Sequence, residues 1–178
     1  EKDNEKLRGV SRMESLDIIL EKSSKKYSDD EKHTFAEKKN KLYQQYLNQM
    51  TIDDLPIEVK ETLKELKNKG FKLAIGSSSK NTMLILKQIG LETFFDAISD
   101  GTMIEYSKPH PEVFIKAANL LSVNYKNCLV VEDAVAGCIA AKSASMNVAA
   151  ISSAYGCVFA DYHLNAINDL EIIVRKEN

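Results

Sequence analysis

CLVVEDAVAGCIAAKSA, residues 128–144, passes from an apolar run through two adjacent carboxylates, Glu132 and Asp133, into a stretch of small residues. A short run without polar alternation is the signature of a strand buried on both faces. The alanine-rich segment that follows is long enough for a helix. Strand, acidic turn and helix together make half of a right-handed parallel crossover. The pattern extends in both directions. NVAAIS follows as the next strand. Upstream, PEVFIKAANLL reads as a helix, AISD as a strand, KNTMLILKQIG as a helix ended by Gly90, and FKLAIGS as a strand. PIEVKETLKELKNKG is a further helix with Val59, Leu63 and Leu66 inward and Gly70 at its C-terminal cap. The tail DYHLNAINDLEIIV reads as a short edge strand and a last helix. Strands alternating with helices predict an α/β fold, a doubly wound, Rossmann-like parallel sheet covered on both faces.

The first fifty or so residues are different. RMESLDIILEKSSKK carries Met13, Leu16, Ile19 and Leu20 at helical spacing, and after the capping sequence SDD the pattern repeats through Phe35, Leu42, Tyr46 and Met50. The stretch predicts two antiparallel helices. The division expected is a helical unit over 1–52 and an α/β core over 53–178.

The 178 residues include 24 basic and 26 acidic side chains, a formal net charge of −2. That balance gives no field for nucleic acid. No segment approaches the ~18 consecutive apolar residues of a membrane helix. The cysteines, Cys128, Cys138 and Cys157, lack metal-ligand spacing. Cys128 and Cys138 read as small buried hydrophobes suited to a reducing cytoplasm.

In open parallel sheets ligands bind at the carboxyl ends of the strands. Three motifs fall there. In GSSSKN, residues 76–81, backbone N–H groups, hydroxyls and one lysine can receive an anion, although a serine helix cap gives the same letters. In SKPHPEVF, residues 107–114, Lys108 stands before a proline and a helix, placed either to meet a phosphate or simply to form a turn. In the third, Asp133 alone could cap the following helix. Glu132, after three apolar residues, would remain an unpaired charge near the core. A hard divalent cation accounts for both acids, because magnesium takes one or two carboxylates plus a substrate phosphate. Gly137 would let the helix pack closely on the sheet.

Ser77, Lys108 and Glu132–Asp133, in this order, resemble the haloacid dehalogenase superfamily of phosphoryl-transfer enzymes over nearly the whole chain. The resemblance implies that Ser77 binds the transferring phosphoryl group, that Lys108 bridges it to the nucleophile, and that Glu132 and Asp133 anchor Mg²⁺. RGVSRMESLDIIL, residues 8–20, is similar to the cap signature of the β-phosphoglucomutases. On that likeness Arg12 grips the phosphate that is not being transferred, joined by Ser79, Lys80 and Asn81, Ser78 also binds substrate, and Lys39 and Asn40 face the substrate from the cap. A mutase holds two phosphates in turn, and the arginine fork suits the second. Against the family pattern, Ala134 stands where many relatives have Ser and Glu112 where Asp is commoner.

The implied activity is Mg²⁺-dependent interconversion of β-D-glucose 1-phosphate and glucose 6-phosphate through an aspartyl-phosphate and glucose 1,6-bisphosphate. Two alternatives are a sugar-phosphate phosphatase and a truncated module that only binds phosphosugar weakly. The expected partner is a small sugar phosphate, with no nucleic acid or membrane, and the expected state is a cytoplasmic monomer. The superfamily's Asp-x-Asp, nucleophile followed by general acid–base, occurs nowhere in the 178 residues. The resemblance implies that the strand bearing it, together with the first cap helix, precedes Glu1. The chain by itself is then expected to be an inactive, trimmed fragment.

Overall fold

The computed structural model describes Leu7 and residues 9–176. The opening EKDNEK, Arg8 and the last two residues lie outside the described residues. Two helices come first, α1 (Arg12–Leu20) and α2 (Asp29–Leu47). Each starts with a capping box. Ser11 and Ser28 accept the N–H of Glu14 and Glu31, whose carboxylates accept the serine N–H groups in return. Lys32 of α2 pairs with Asp17 of α1 at 2.8 Å, and Lys39 Nζ donates to Ser15 Oγ at 3.3 Å. The buried apolar positions of this pair are Leu16, Ala36 and Leu47. The expected stripe of Phe35, Leu42 and Tyr46 is exposed instead, with Leu42 at 53% and Tyr46 at 61%. Helical spacing marks a common face but not whether a neighbour covers it.

The remainder alternates as expected. Helix α3 (Ile57–Asn68) leads to β1 (Ala74–Gly76), α4 (Thr82–Gln88), β2 (Ala97–Ser99) and α5 (Glu112–Leu121). Then follow β3 (Leu129–Glu132), α6 (Val135–Ser143), β4 (Asn147–Ile151), β5 (Tyr162–Leu164) and α7 (Leu170–Lys176). All strand pairings among the described residues are parallel, in the order β1–β2 and β3–β4–β5. The sheet is therefore in two pieces, since no described strand pairs β1 with β3.

Helices cover both faces of the larger piece, as the apolar strands predict. Along β4, Val148 and Ala150 enter one cluster with Val113, Phe114, Cys138 and Ala141 of α5 and α6. Ala149 between them turns to the opposite cluster, with Leu66 of α3, Leu164 of β5 and Leu170 of α7. All three β4 side chains are fully buried. Small residues on α6, namely Gly137, Cys138, Ala140 and Ala141, bring that helix close to β3 and β4. Cys157, unremarkable in the sequence, is buried beside Cys138, while Cys128 is only half-buried.

Candidate active site

The carboxyl ends of β1 and β3 meet at one side chain. Lys108, on the loop entering α5, is 6% exposed, and its ammonium donates to the Gly76 carbonyl at 3.1 Å and to Glu132 Oε1. The Phe114 ring lies 4.6 Å from Nζ and adds a cation–π contact. Glu132 is 7% exposed, and its other oxygen accepts the N–H of Ala134 at 3.2 Å. Gly137 lies against this carboxylate so closely that a Cβ there would overlap it. The glycine makes room for the charged group itself, not only for the sheet.

Glu132 thus has a partner that the sequence reading did not assign, the ammonium of Lys108. Burying two charges is unfavourable unless they are paired and hydrogen-bonded, and both conditions hold here. Behind the pair lies Cys138. Burial, the Cys157 thiol in contact with it and the negative Glu132 together push its thiol up to about 12, so it stays protonated.

The Lys108 loop is held from two sides. Glu112, at the start of α5, accepts the N–H groups of Glu105 at 3.0 Å and Tyr106 at 2.8 Å. Its bond to Lys116, with these backbone donors, draws its carboxyl down to about 2. From the other side, Ser107 donates to Glu14 of α1 and accepts the N–H of Ser11 at 3.2 Å. Burial pushes the Glu14 carboxyl up, but the bonds from Ser107 and Ser11 prevail and hold it below its usual value. The Lys108–Pro109 peptide is cis.

At the end of β1 the serine loop continues the ladder. Ser77 N–H donates to the Ser99 carbonyl at 3.0 Å. Ser77 Oγ then accepts the N–H of Ser79 at 3.2 Å, and Ser78 Oγ the N–H of Lys108 at 3.3 Å. The loop is tied both to its own turn and to the lysine.

Between these elements opens a cleft of about 340 Å³. Ser77, Ser78, Ser79, Lys108, Glu132 and Asp133 all line it, under Gly9 and Val10 of the segment leading into α1. Six of the residues expected to act together therefore share one wall. Arg12, Lys39, Lys80 and Asn81 are not on it. Arg12 opens α1 half-buried, Lys39 is turned to Ser15, Lys80 is exposed, and Asn81 is buried against α2. Among the described residues, no group of three acids, histidines or cysteines gathers as a metal cluster. The carboxylates of Glu132 and Asp133 nevertheless supply the hard oxygen donors, one or two per ion, that magnesium uses alongside a phosphate. The sequence reading missed Glu14 and Ser107. The spacing Ser11-x-x-Glu14 was a visible capping signal, but its second role with Ser107 depends on the fold.

Chemically, the wall offers an ammonium and three serine hydroxyls opposite two carboxylates. That combination suits a phosphorylated ligand. The sequence profile of the haloacid dehalogenase-like hydrolase family matches residues 2–151. The chain is 36% identical over 171 residues to the β-phosphoglucomutase of Bacillus subtilis, covering 95% of this chain and 76% of that protein. It is 32% identical over 119 residues to hexitol phosphatase B of Escherichia coli, covering 63% of this chain and 54% of that protein. The crystal structure of a β-phosphoglucomutase from Clostridium difficile superposes with a TM-score of 0.90 at 37% identity, covering 99% of this chain and 80% of that one.

Proposed function

The chain belongs to the haloacid dehalogenase-like hydrolase family, and on that premise we propose that it is a phosphoglucomutase that interconverts β-D-glucose 1-phosphate and glucose 6-phosphate. The observation that carries this reading is the Lys108 ammonium, held between the serine loop of β1 and Glu132 of β3. Residues 1–52 are read as part of the cap of this enzyme and 53–178 as its core without the first strand.

Each side chain has a role that its position allows. Ser77 holds the transferring phosphoryl group, and Lys108 offsets the charge that spreads over its oxygens. Glu132 and Asp133 hold Mg²⁺, which when bound supplies further positive charge to the phosphate. Glu132 keeps the ammonium extended toward the cleft, and Phe114 limits its sideways motion. Arg12, with Ser78, Ser79 and Lys80, receives the second phosphate at the cap side, and Asn81 and Lys39 shape that end through the cap helices. The nucleophilic aspartate of the reaction is not among these residues, since the 178 positions contain no Asp-x-Asp. The free thiols support a reducing, cytoplasmic setting. Among the described residues, no helix is long and apolar enough to cross a membrane.

A second reading is favoured by the similarity to hexitol phosphatase B and to a phosphorylated carbohydrates phosphatase of Thermotoga maritima, 29% identical over 144 residues. In it, water replaces the sugar hydroxyl as acceptor. The two separate in one assay of the full-length protein with β-glucose 1-phosphate, Mg²⁺ and a trace of glucose 1,6-bisphosphate. The mutase yields glucose 6-phosphate. Inorganic phosphate without glucose 6-phosphate would reject it for the phosphatase.

A further inference from the structure

Asn81 lies between the serine loop and α4 and is 7% exposed. Both ends of its carboxamide are committed to α2. Its Oδ1 accepts from Gln44 Nε2 at 3.0 Å, and its Nδ2 donates to Asn40 Oδ1 at 2.9 Å. Asn40 and Gln44 are four residues apart on α2, so one helix face presents both. On the other side, the Asn81 N–H donates to Ser79 Oγ at 3.1 Å, and Ser79 lines the cleft. A line of hydrogen bonds therefore runs from the cleft wall through Asn81 into the cap. A weaker amide contact lies along the same seam, Gln88 Nε2 to Asn48 Oδ1 at 3.4 Å.

A buried carboxamide has to satisfy both its oxygen and its nitrogen. Drawing α2 away from α4 leaves both unmade at once, which makes Asn81 a two-point catch between cap and core.

We propose that Gln44 is a positioning residue that latches the cap onto the core through Asn81 and so fixes how the sugar end of the substrate is enclosed. The proposal rests on the reading of the cleft as a sugar-phosphate site. Gln44 does not line the cleft and reaches the substrate end only through Asn81, so its influence is on closure and not on the transfer step.

The test uses the full-length protein and its Gln44→Leu and Gln44→Glu variants. Leucine keeps the bulk and removes the donor. Glutamate preserves the catch, because the Asn81 and Asn40 carboxamides can turn over so that Asn81 Nδ2 donates to the introduced carboxylate. Two readouts are taken: amide hydrogen exchange of α2 and α4, and initial rates on β-glucose 1-phosphate and on acetyl phosphate, a small donor that needs no cap. For Gln44→Leu we expect exchange across residues 40–47 to rise about fivefold, as for one lost neutral hydrogen bond. KM for the sugar phosphate should rise by a similar factor, with acetyl phosphate turnover unchanged and Gln44→Glu close to the parent in both readouts. Unchanged exchange and KM in Gln44→Leu overturn the latch. So does an equal loss in Gln44→Glu, or a loss that extends to acetyl phosphate. A parent that turns over neither donor instead refutes the functional reading, and the exchange measurement still decides the latch.

Discussion

Lys108 and Glu132 are each buried, and each leaves the other exposed to a large penalty if removed alone. Replacing Lys108 with Met keeps the aliphatic stem but strands the Glu132 carboxylate. Thermal denaturation should show a loss of about 3–5 kcal/mol, a fall in Tm of about 10 °C for a chain of this size. Adding Glu132→Gln removes the second charge and should recover most of that loss while phosphoryl transfer stays abolished. A double variant no more stable than Lys108→Met would show that the pair does not share its burial penalty. This partnership was not legible in the sequence. Glu132 announced itself as a carboxylate that needed positive charge, and Lys108 as a lysine at a strand end. Only the fold brings together two side chains 24 residues apart in the chain. The sequence reading gave Glu132 a metal, and the fold adds the ammonium of Lys108 beside the same carboxylate.

At the scale of elements, the strand and helix order from Pro56 onward was readable because apolar runs and glycine stops are local. The N-terminal pair was readable as helices, and Ser28 as the start of the second, yet the buried face was not. Phe35, Leu42 and Tyr46 obey the period but stand exposed, while the smaller Ala36 makes the contact. Loop anchoring was equally hidden, since Glu112 looked like an ordinary first-turn acid and instead clips the Lys108 loop through two backbone N–H groups. Its carboxyl titrates at about 2, below the ~4.3 of a free Glu. A depressed carboxyl contributes stability that is fully present above the ordinary value and lost as pH falls through the folded one. Glu14 and Asp161 are shifted in the same direction. For Asp161, burial raises the value, but Lys142 and the Val148 N–H lower it further. Tm should therefore hold from neutral pH down to about 5 and then decline between about pH 4 and 2. Glu112→Gln should lower Tm at pH 7 and flatten the acid limb. An acid limb identical to the parent's would remove Glu112 from the account.

Over the whole molecule, two strand ends, a lysine loop and the entry to a helical pair converge on one cleft. The convergence follows from topology, because parallel strands deliver all their carboxyl ends to the same edge. That is why Ser77, Lys108, Glu132 and Asp133 could be grouped from sequence order alone, and why they line one wall. Asn81 belongs to the seam with α2, Arg12 opens α1 and Lys80 is exposed, and no local pattern encodes how the helical pair sits against them. The central claim is that this wall, through Lys108, transfers a phosphoryl group of a sugar phosphate. The most direct measurement is the initial rate of glucose 6-phosphate formation from β-glucose 1-phosphate, with Mg²⁺ and bisphosphate, by full-length protein and its Lys108→Met variant at a temperature where both are folded. The account predicts turnover by the parent and a loss of at least about 10²–10³-fold in the variant. A variant that keeps the parental rate, or a parent that leaves the substrate intact, would contradict it.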